Sequence, residues 1–375
     1  MTKSVNSRGA LDNSTMQLAK AIAWRGLGLA LNVVRLGYAI SGRTQSVDVL
    51  IYKVDRLGDW LLAEPTIGRI VEATRVRGGT AVVWAAHESA ALLAWHRPDF
   101  KVETFAFNPK GLVAKLHRAC VIVRLLAVYR ARILICLRHT PEAVRDFVLS
   151  HADAADIRAL SRYLAVRPPA AVPYEIERHY MILAGAGMEP ANVRELLPRF
   201  SAWEGPQSKR VILAPFSSAL IKDWRDEAWC DVIGGLAGRG LQFELWVSSD
   251  QLGRAEELAL KLAERAPSEQ IDVKLGSLAE LAEAVGLSFL VLSVDTFTVH
   301  LAVAMDVPTV CVIGGGHYGD FGPWQNSPRQ RWVTQLLPCF GCDWHCSRSR
   351  VECLEDVTSA RMLDEIAAVL ESGRD

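Results

Sequence analysis

From residue 47 onward, short apolar runs rich in β-branched residues alternate with longer stretches whose apolar positions recur every three or four residues. Apolar runs of four to eight residues bounded by turn signals predict strands buried on both faces, and the longer pattern predicts amphipathic helices. VDVLIYKV (47–54), TAVVWAA (80–86), KVETFAF (101–107) and RILICL (132–137) are expected strands. LLAEPTIGRIVEATRV (61–76) and the basic GLVAKLHRACVIVRLLAVYRA (111–131) are expected helices among them. The polar stretch RFSAWEGPQSKR (199–210), with its Gly-Pro, breaks the pattern and reads as a linker. The alternation then restarts with RVILAP (210–215), LQFELWV (241–247), IDVKL (271–275), LSFLVLSV (287–294) and TVCVIG (309–314), and a helical segment (358–373) closes the chain. Strands alternating with helices predict an α/β fold with mostly parallel sheets, here as two Rossmann-like domains facing a central cleft. The expected boundaries are an N-terminal helical segment at 1–46, domains at 47–204 and 210–357, and a C-terminal helix at 358–375. No short-period repeat is visible, which excludes a solenoid.

The N-terminal stretch MQLAKAIAWRGLGLALNVVRLGYAI (16–40) is apolar but interrupted by Lys20, Arg25 and Arg35. It is too charged for a membrane span and lacks a small-residue cleavage site. A helix of this kind lies on a membrane surface or packs on the body of the fold, and the sequence leaves both open. The chain balances 42 Lys and Arg against 42 Asp and Glu, so no global charge steers it to nucleic acid and any anionic ligand must be held by local groups. Eight cysteines without a signal peptide fit a reducing, cytoplasmic setting, in which clustered thiols point to metal or redox chemistry.

Three strand ends carry candidate chemistry. In KVDRLGDWLLAEPT (53–66), Arg56, Gly58 and Asp59 stand just before a predicted helix, where Asp59 serves either as a helix cap or as a general base. A G-x-G-x-x-G fingerprint is absent, which counts against a nicotinamide enzyme. In RVILAPFSSALIKDWRDEAW (210–229), the hydroxyls of Ser217 and Ser218, backbone amides, a helix N-terminus and Lys222 make a phosphate cradle or an ordinary solvated loop. In SVDTFTVH (293–300), Asp295 and Thr296 precede another helix. They cap it or line an anion site, with His300 one turn on as a core or site histidine. Gly315 and His317 in GGGHYGDFGPW (314–324) either present amides and an imidazole to a phosphate or form an open loop. Cys339, Cys342, Cys346 and Cys353, spaced C-x2-C-x3-C-x6-C within 339–353, suit a tetrahedral thiolate site for zinc or iron, with free thiols or disulfides formed after lysis as the alternatives.

In their order, KVDRLGDWLLAEPTIGRI, APFSSALIKDWRDEAW and SVDTFTVHLAVAMDVPTVCVIGG resemble the successive motifs of glycosyltransferase family 9, the heptosyltransferases, along roughly residues 47–370. The resemblance implies a GT-B fold, an acceptor-side N-terminal domain and a C-terminal domain that binds the sugar nucleotide. It also implies inverting transfer without a catalytic metal, from an ADP-heptose-like donor to a hydroxyl of a lipopolysaccharide or surface-glycan acceptor. Asp59 would be the base; Ser217 or Ser218 and Lys222 would hold the diphosphate; Asp295, Thr296 and His300 would line the donor site. Some protein-modifying members hold iron through four thiolates, which would make the cysteine cluster a structural staple. The implied setting is cytoplasmic, peripheral on the inner face of the membrane, with a glycan, lipid-linked or protein acceptor and no nucleic acid. Two departures stand out: Phe297 replaces the glycine usual after Asp-Thr, and Ser248-Ser249-Asp250 stands where a glycine pair is common. The first favours an alternative reading as a sugar-nucleotide-binding protein without turnover, because only glycine lets backbone approach a phosphate so closely.

Overall fold

The computed structural model describes residues 8–138, 142–163, 172–200, 205, 208–267 and 269–372. The chain opens with α1 (Arg8–Ile40), β1 (Gln45–Lys53), α2 (Leu57–Val76), β2 (Ala81–Ala86), α3 (His87–His96) and β3 (Val102–Phe105). It continues through α4 (Leu112–Val128), β4 (Tyr129–Cys136), α5 (Ala143–His151), β5 (Asp153–Ala159) and α6 (Tyr174–Ala184). Then follow β6 (Arg210–Ala214), α7 (Asp226–Leu236), β7 (Gln242–Trp246), α8 (Leu252–Arg265), β8 (Gln270–Lys274) and α9 (Leu278–Gly286). The last elements are β9 (Leu290–Val294), α10 (Phe297–Ala304), β10 (Thr309–Val312), β11 (Gln330–Val333), α11 (Glu352–Glu355) and α12 (Ser359–Glu371). The fold is α/β with two parallel sheets.

Two compact units emerge. One comprises the chain up to Asp55 with Ile70–Ala90 and Asp99–Arg162; the other comprises Arg56–Arg69, Ala91–Pro98 and the chain from Tyr163. The first holds a sheet in the order β3-β2-β1-β4-β5 with every pair parallel. β1 lies at its centre, and Val49, Leu50, Ile51 and Tyr52 are all buried, as a strand covered on both faces requires. β5 (DAADIRA) is an edge strand with nearly half its side chains in water, which is why its sequence gives no strand signal. Tyr129–Ala131, expected as the end of a helix, instead begin β4. α1 docks by one face: Leu31 is fully buried, Trp24 lies 5.1 Å from the Phe147 ring, and Arg35 donates to the carbonyls of Leu126 and His151.

The second unit holds the order β11-β10-β9-β6-β7-β8, again parallel throughout. Its strand order reverses between β6 and β9. In such sheets the crevice beyond the carboxyl ends of those two strands is where ligands bind. β6 leads into Pro215–Lys222 and β9 into Asp295–Phe297, so the topology alone brings the second and third motifs to one place. β11 (QRWV), a four-residue edge strand, was not expected from the sequence. The expected linker at 199–210 falls partly on residues 201–204 and 206–207, outside the described ones.

Candidate functional site

Lys222 ends a short 3₁₀ turn (Leu220–Lys222), and its Nζ lies 2.8 Å from Asp295 Oδ2. The other carboxylate oxygen, Oδ1, faces His300 Nε2 at 3.6 Å. Trp324 Nε1 donates to His300 Nδ1 at 3.0 Å. An indole N–H can only donate, so Nδ1 must accept and the ring proton sits on Nε2, towards Asp295. The two rings stack at 8° with centroids 6.1 Å apart, which holds the imidazole plane. Burial by itself would raise the Asp295 pKa, but the adjacent His300 imidazole and the Lys222 charge outweigh it and hold the carboxyl well below the usual carboxylate range. Asp295 therefore stays a carboxylate, and Lys222 keeps donor capacity beyond the one bond it makes.

Thr296 is the N-cap of α10 and makes no side-chain cap bond, so the first amides of this eight-residue helix are not closed off by their own cap. Phe297 opens the helix. A Cβ on Gly58 would lie 3.5 Å from His300 Cδ2 and 4.0 Å from Phe297 Cα, so the first turn of α2 passes directly over the first turn of α10 within this unit. Asp59 lies inside the first turn of α2, not ahead of it, and is half-buried. Next to it Arg56 donates to Ser218 Oγ at 3.1 Å.

Ser217 and Ser218 differ in role. The Ser217 hydroxyl donates to the Ala219 carbonyl at 2.9 Å and accepts from the Ala219 amide at 3.0 Å, and its own amide donates to Asp223 Oδ1 at 2.7 Å. It shapes the loop. Arg254 secures Asp223 at 2.8 Å while its guanidinium lies 4.0 Å over the Phe216 ring. Gln251 donates to the Ser217 carbonyl at 2.9 Å, which brings the Ser248–Asp250 turn, closed by a 2.5 Å bond from Ser248 Oγ to Asp250, against the same loop.

The glycine run is packed, not open. The Gly315 amide donates to Cys353 Sγ at 3.3 Å, and its carbonyl accepts from Gly341 at 2.8 Å. A Cβ on Gly315 would fall 2.4 Å from Phe340, and one on Gly316 2.3 Å from Trp344, so these glycines exist to let two aromatic rings of the cysteine loop lie flat on the backbone. His317 is likewise engaged: Trp344 Nε1 donates to its Nδ1 at 3.3 Å, and its Nε2 lies 2.6 Å from Asp343 Oδ1. Trp344 also places its ring 5.5 Å from Lys222 Nζ, a cation–π contact that ties the cysteine loop to the lysine. α6 steadies the glycine loop through Arg178 and Asp320 (3.1 Å).

Cys339, Cys342, Cys346 and Cys353 all border one cavity of about 10 Å³, beside Gly315 and Trp344. That volume admits a single water-sized atom. Among the described residues no three His, Cys, Asp or Glu side chains are arranged to hold a metal ion. Four thiols are the donor type a thiophilic ion takes, and these four residues border one space. The missed participants, Trp324 and Trp344, act over distance in the fold, and the sequence carried no local signal for them.

Residues 186–345 match the family profile described as glycosyltransferase family 9 (heptosyltransferase). Over that region the chain resembles family 9 glycosyltransferases. Among curated proteins, lipopolysaccharide heptosyltransferase 1 of Salmonella typhimurium is 24% identical over 71% of this chain and 88% of its own. Solved heptosyltransferases share the fold. E. coli WaaC, bound to ADP-2-deoxy-2-fluoro heptose, superposes with a TM-score of 0.58 at 19% identity, covering 86% of this chain and 99% of WaaC. The iron-containing dodecameric glycosyltransferase TibC of enterotoxigenic E. coli superposes with a TM-score of 0.54 at 16% identity over 88% of this chain and 78% of TibC. The family 9 match includes Ser217, Lys222, Asp295 and His300; Asp59 precedes it. No helix among the described residues is long and apolar enough to cross a membrane.

Proposed function

We propose that this glycosyltransferase moves a heptose from an ADP-heptose-like donor to a hydroxyl of a lipopolysaccharide or surface-glycan acceptor on the cytoplasmic side of the membrane. Lys222, Ser218 and the opening amides of α10 hold the diphosphate, where negative charge grows as the glycosidic bond breaks. Asp295 and His300 fix Lys222, and Asp59 takes the proton from the acceptor hydroxyl so that the oxygen attacks the anomeric carbon and the nucleoside diphosphate leaves. The observation that carries this reading is the meeting, in one unit, of the Gly58–Asp59 turn with the His300–Asp295–Lys222 chain.

The test is nucleoside diphosphate release from a panel of ADP-, UDP- and GDP-sugars, with acceptor glycans added. Release from ADP-heptose alone, lost in Asp59→Ala while ADP still raises the melting temperature, supports the reading. Loss of ADP stabilisation together with activity in that variant refutes the assignment of Asp59 as base. Stabilisation by sugar nucleotides without release under any acceptor instead establishes the binding-protein alternative that Phe297 favours.

A second reading concerns the acceptor. The four cysteines around one cavity, and the likeness to an iron-containing glycosyltransferase, favour a protein-modifying enzyme whose Cys339, Cys342, Cys346 and Cys353 hold a structural zinc or iron. Such an ion would staple the loop that carries Trp344 and take no part in transfer. Elemental analysis of the purified chain and assay against protein acceptors distinguish this reading.

A further inference from the structure

α1 is apolar on two opposite sides. One side docks through Trp24, Leu27, Leu31, Val34 and Tyr38 onto the core of the first unit. Leu18, Ile22, Leu29, Val33, Leu36 and Ile40 recur at three-, four- and seven-residue steps along the other side, each between 62% and 78% exposed. α4 packs beside α1 and adds Leu112, Val113 and Leu116, the least exposed of them 57% open. A contiguous apolar surface of this extent marks an interaction site.

Charge identifies what covers it. From Asn13 to Val47 and from Thr104 to Pro141 the chain carries no Asp or Glu, while the whole protein is balanced at 42 against 42. Arg25, which continues the apolar stripe, and Arg43, Lys110 and Lys115 are exposed on these two segments. A second copy of the chain would bring the same cations against these, with no carboxylates on either of these stretches to meet them. An anionic bilayer supplies both an apolar layer for the leucine stripe and headgroups for the cations. We infer that the outer face of α1, with the exposed start of α4, lies on an anionic lipid surface and brings the enzyme to a membrane. The inference rests on this face alone and does not depend on the identity of the donor.

The test is sedimentation of the full chain with vesicles of phosphatidylcholine alone or mixed with phosphatidylglycerol. Binding is expected only to the anionic vesicles and is expected to weaken with salt. The double variant Leu29→Glu/Val33→Glu should bind roughly tenfold less, with an unchanged melting temperature because both side chains already face water. Should that variant fail to fold, Arg25→Glu/Lys115→Glu carries the same expectation. Absence of binding to either vesicle, equal binding by the variants, or a dimer of the wild type that the same substitutions dissolve would overturn the proposal, the last by identifying a second copy as the occupant.

Discussion

Replacing Asp295 with asparagine tests the electrostatic heart of the site. The Lys222–Asp295 pair is only 18% and 9% exposed, so solvent screens it little. At 2.8 Å two unit charges attract by about 6 kcal/mol at an effective dielectric near 20, against which the desolvation of both ions must be set. Asparagine keeps the shape and one acceptor for Lys222 but strands its charge and removes the carboxylate that His300 faces. The expected loss is about 3 kcal/mol, at the low end for stripping one partner from a buried pair. For a unit of this size that corresponds to a melting temperature lower by roughly 6–12 °C. The pH dependence is specific. The Asp295 pKa is depressed in the folded protein, so its stabilisation is complete above the unfolded value of about 3.9 and is lost as pH falls through the lower folded value. Thermal or urea unfolding of both proteins from pH 7 downward should therefore show a constant gap at neutral pH that narrows below about pH 4. A variant as stable as the parent at pH 7, or a gap that widens on acidification, would refute the reasoning.

Trp324→Phe removes the only donor shown for His300 Nδ1 while keeping the stacked ring, and should cost about 1–2 kcal/mol in urea unfolding, with poorer donor binding read from KM. Gly316→Ala drives a methyl group to 2.3 Å from the Trp344 ring; about 1–3 kcal/mol of lost stability is expected as the ring leaves its seat over Lys222, seen as a lower melting temperature. If an ion occupies the cysteine cavity, chelation should lower the melting temperature, and Cys339→Ser should abolish that response, both measured by scanning fluorimetry alongside metal content.

The sequence disclosed the centre of each sheet and little of its edges. VDVLIYKV and LSFLVLSV are legible because a strand covered on both faces must be apolar throughout. DAADIRA sits at a sheet edge, where water satisfies nearly half the side chains and the pattern dissolves into ordinary polar sequence, and QRWV, at the edge of the other sheet, is four residues long and half polar. Lys222 and Asp295 were recognisable because both follow central strands at the reversal of strand order. Their aromatic supports were not, since Trp324 and Trp344 reach histidines 24 and 27 residues away and nothing in a local window records such a bond. The glycine run misled for a related reason. Its amides look free on paper, but Phe340 and Trp344 occupy the space beside them.

The acid beneath Lys222 makes the resting seat electrically quiet. A bare ammonium at the mouth of a sheet would attract any polyphosphate that drifted near, whatever base or sugar it carried. A masked one gives little to a visitor that brings charge alone, and rewards one that also fits the neighbouring walls. Discrimination among nucleotides would thus begin with what the lysine withholds, before shape is ever consulted.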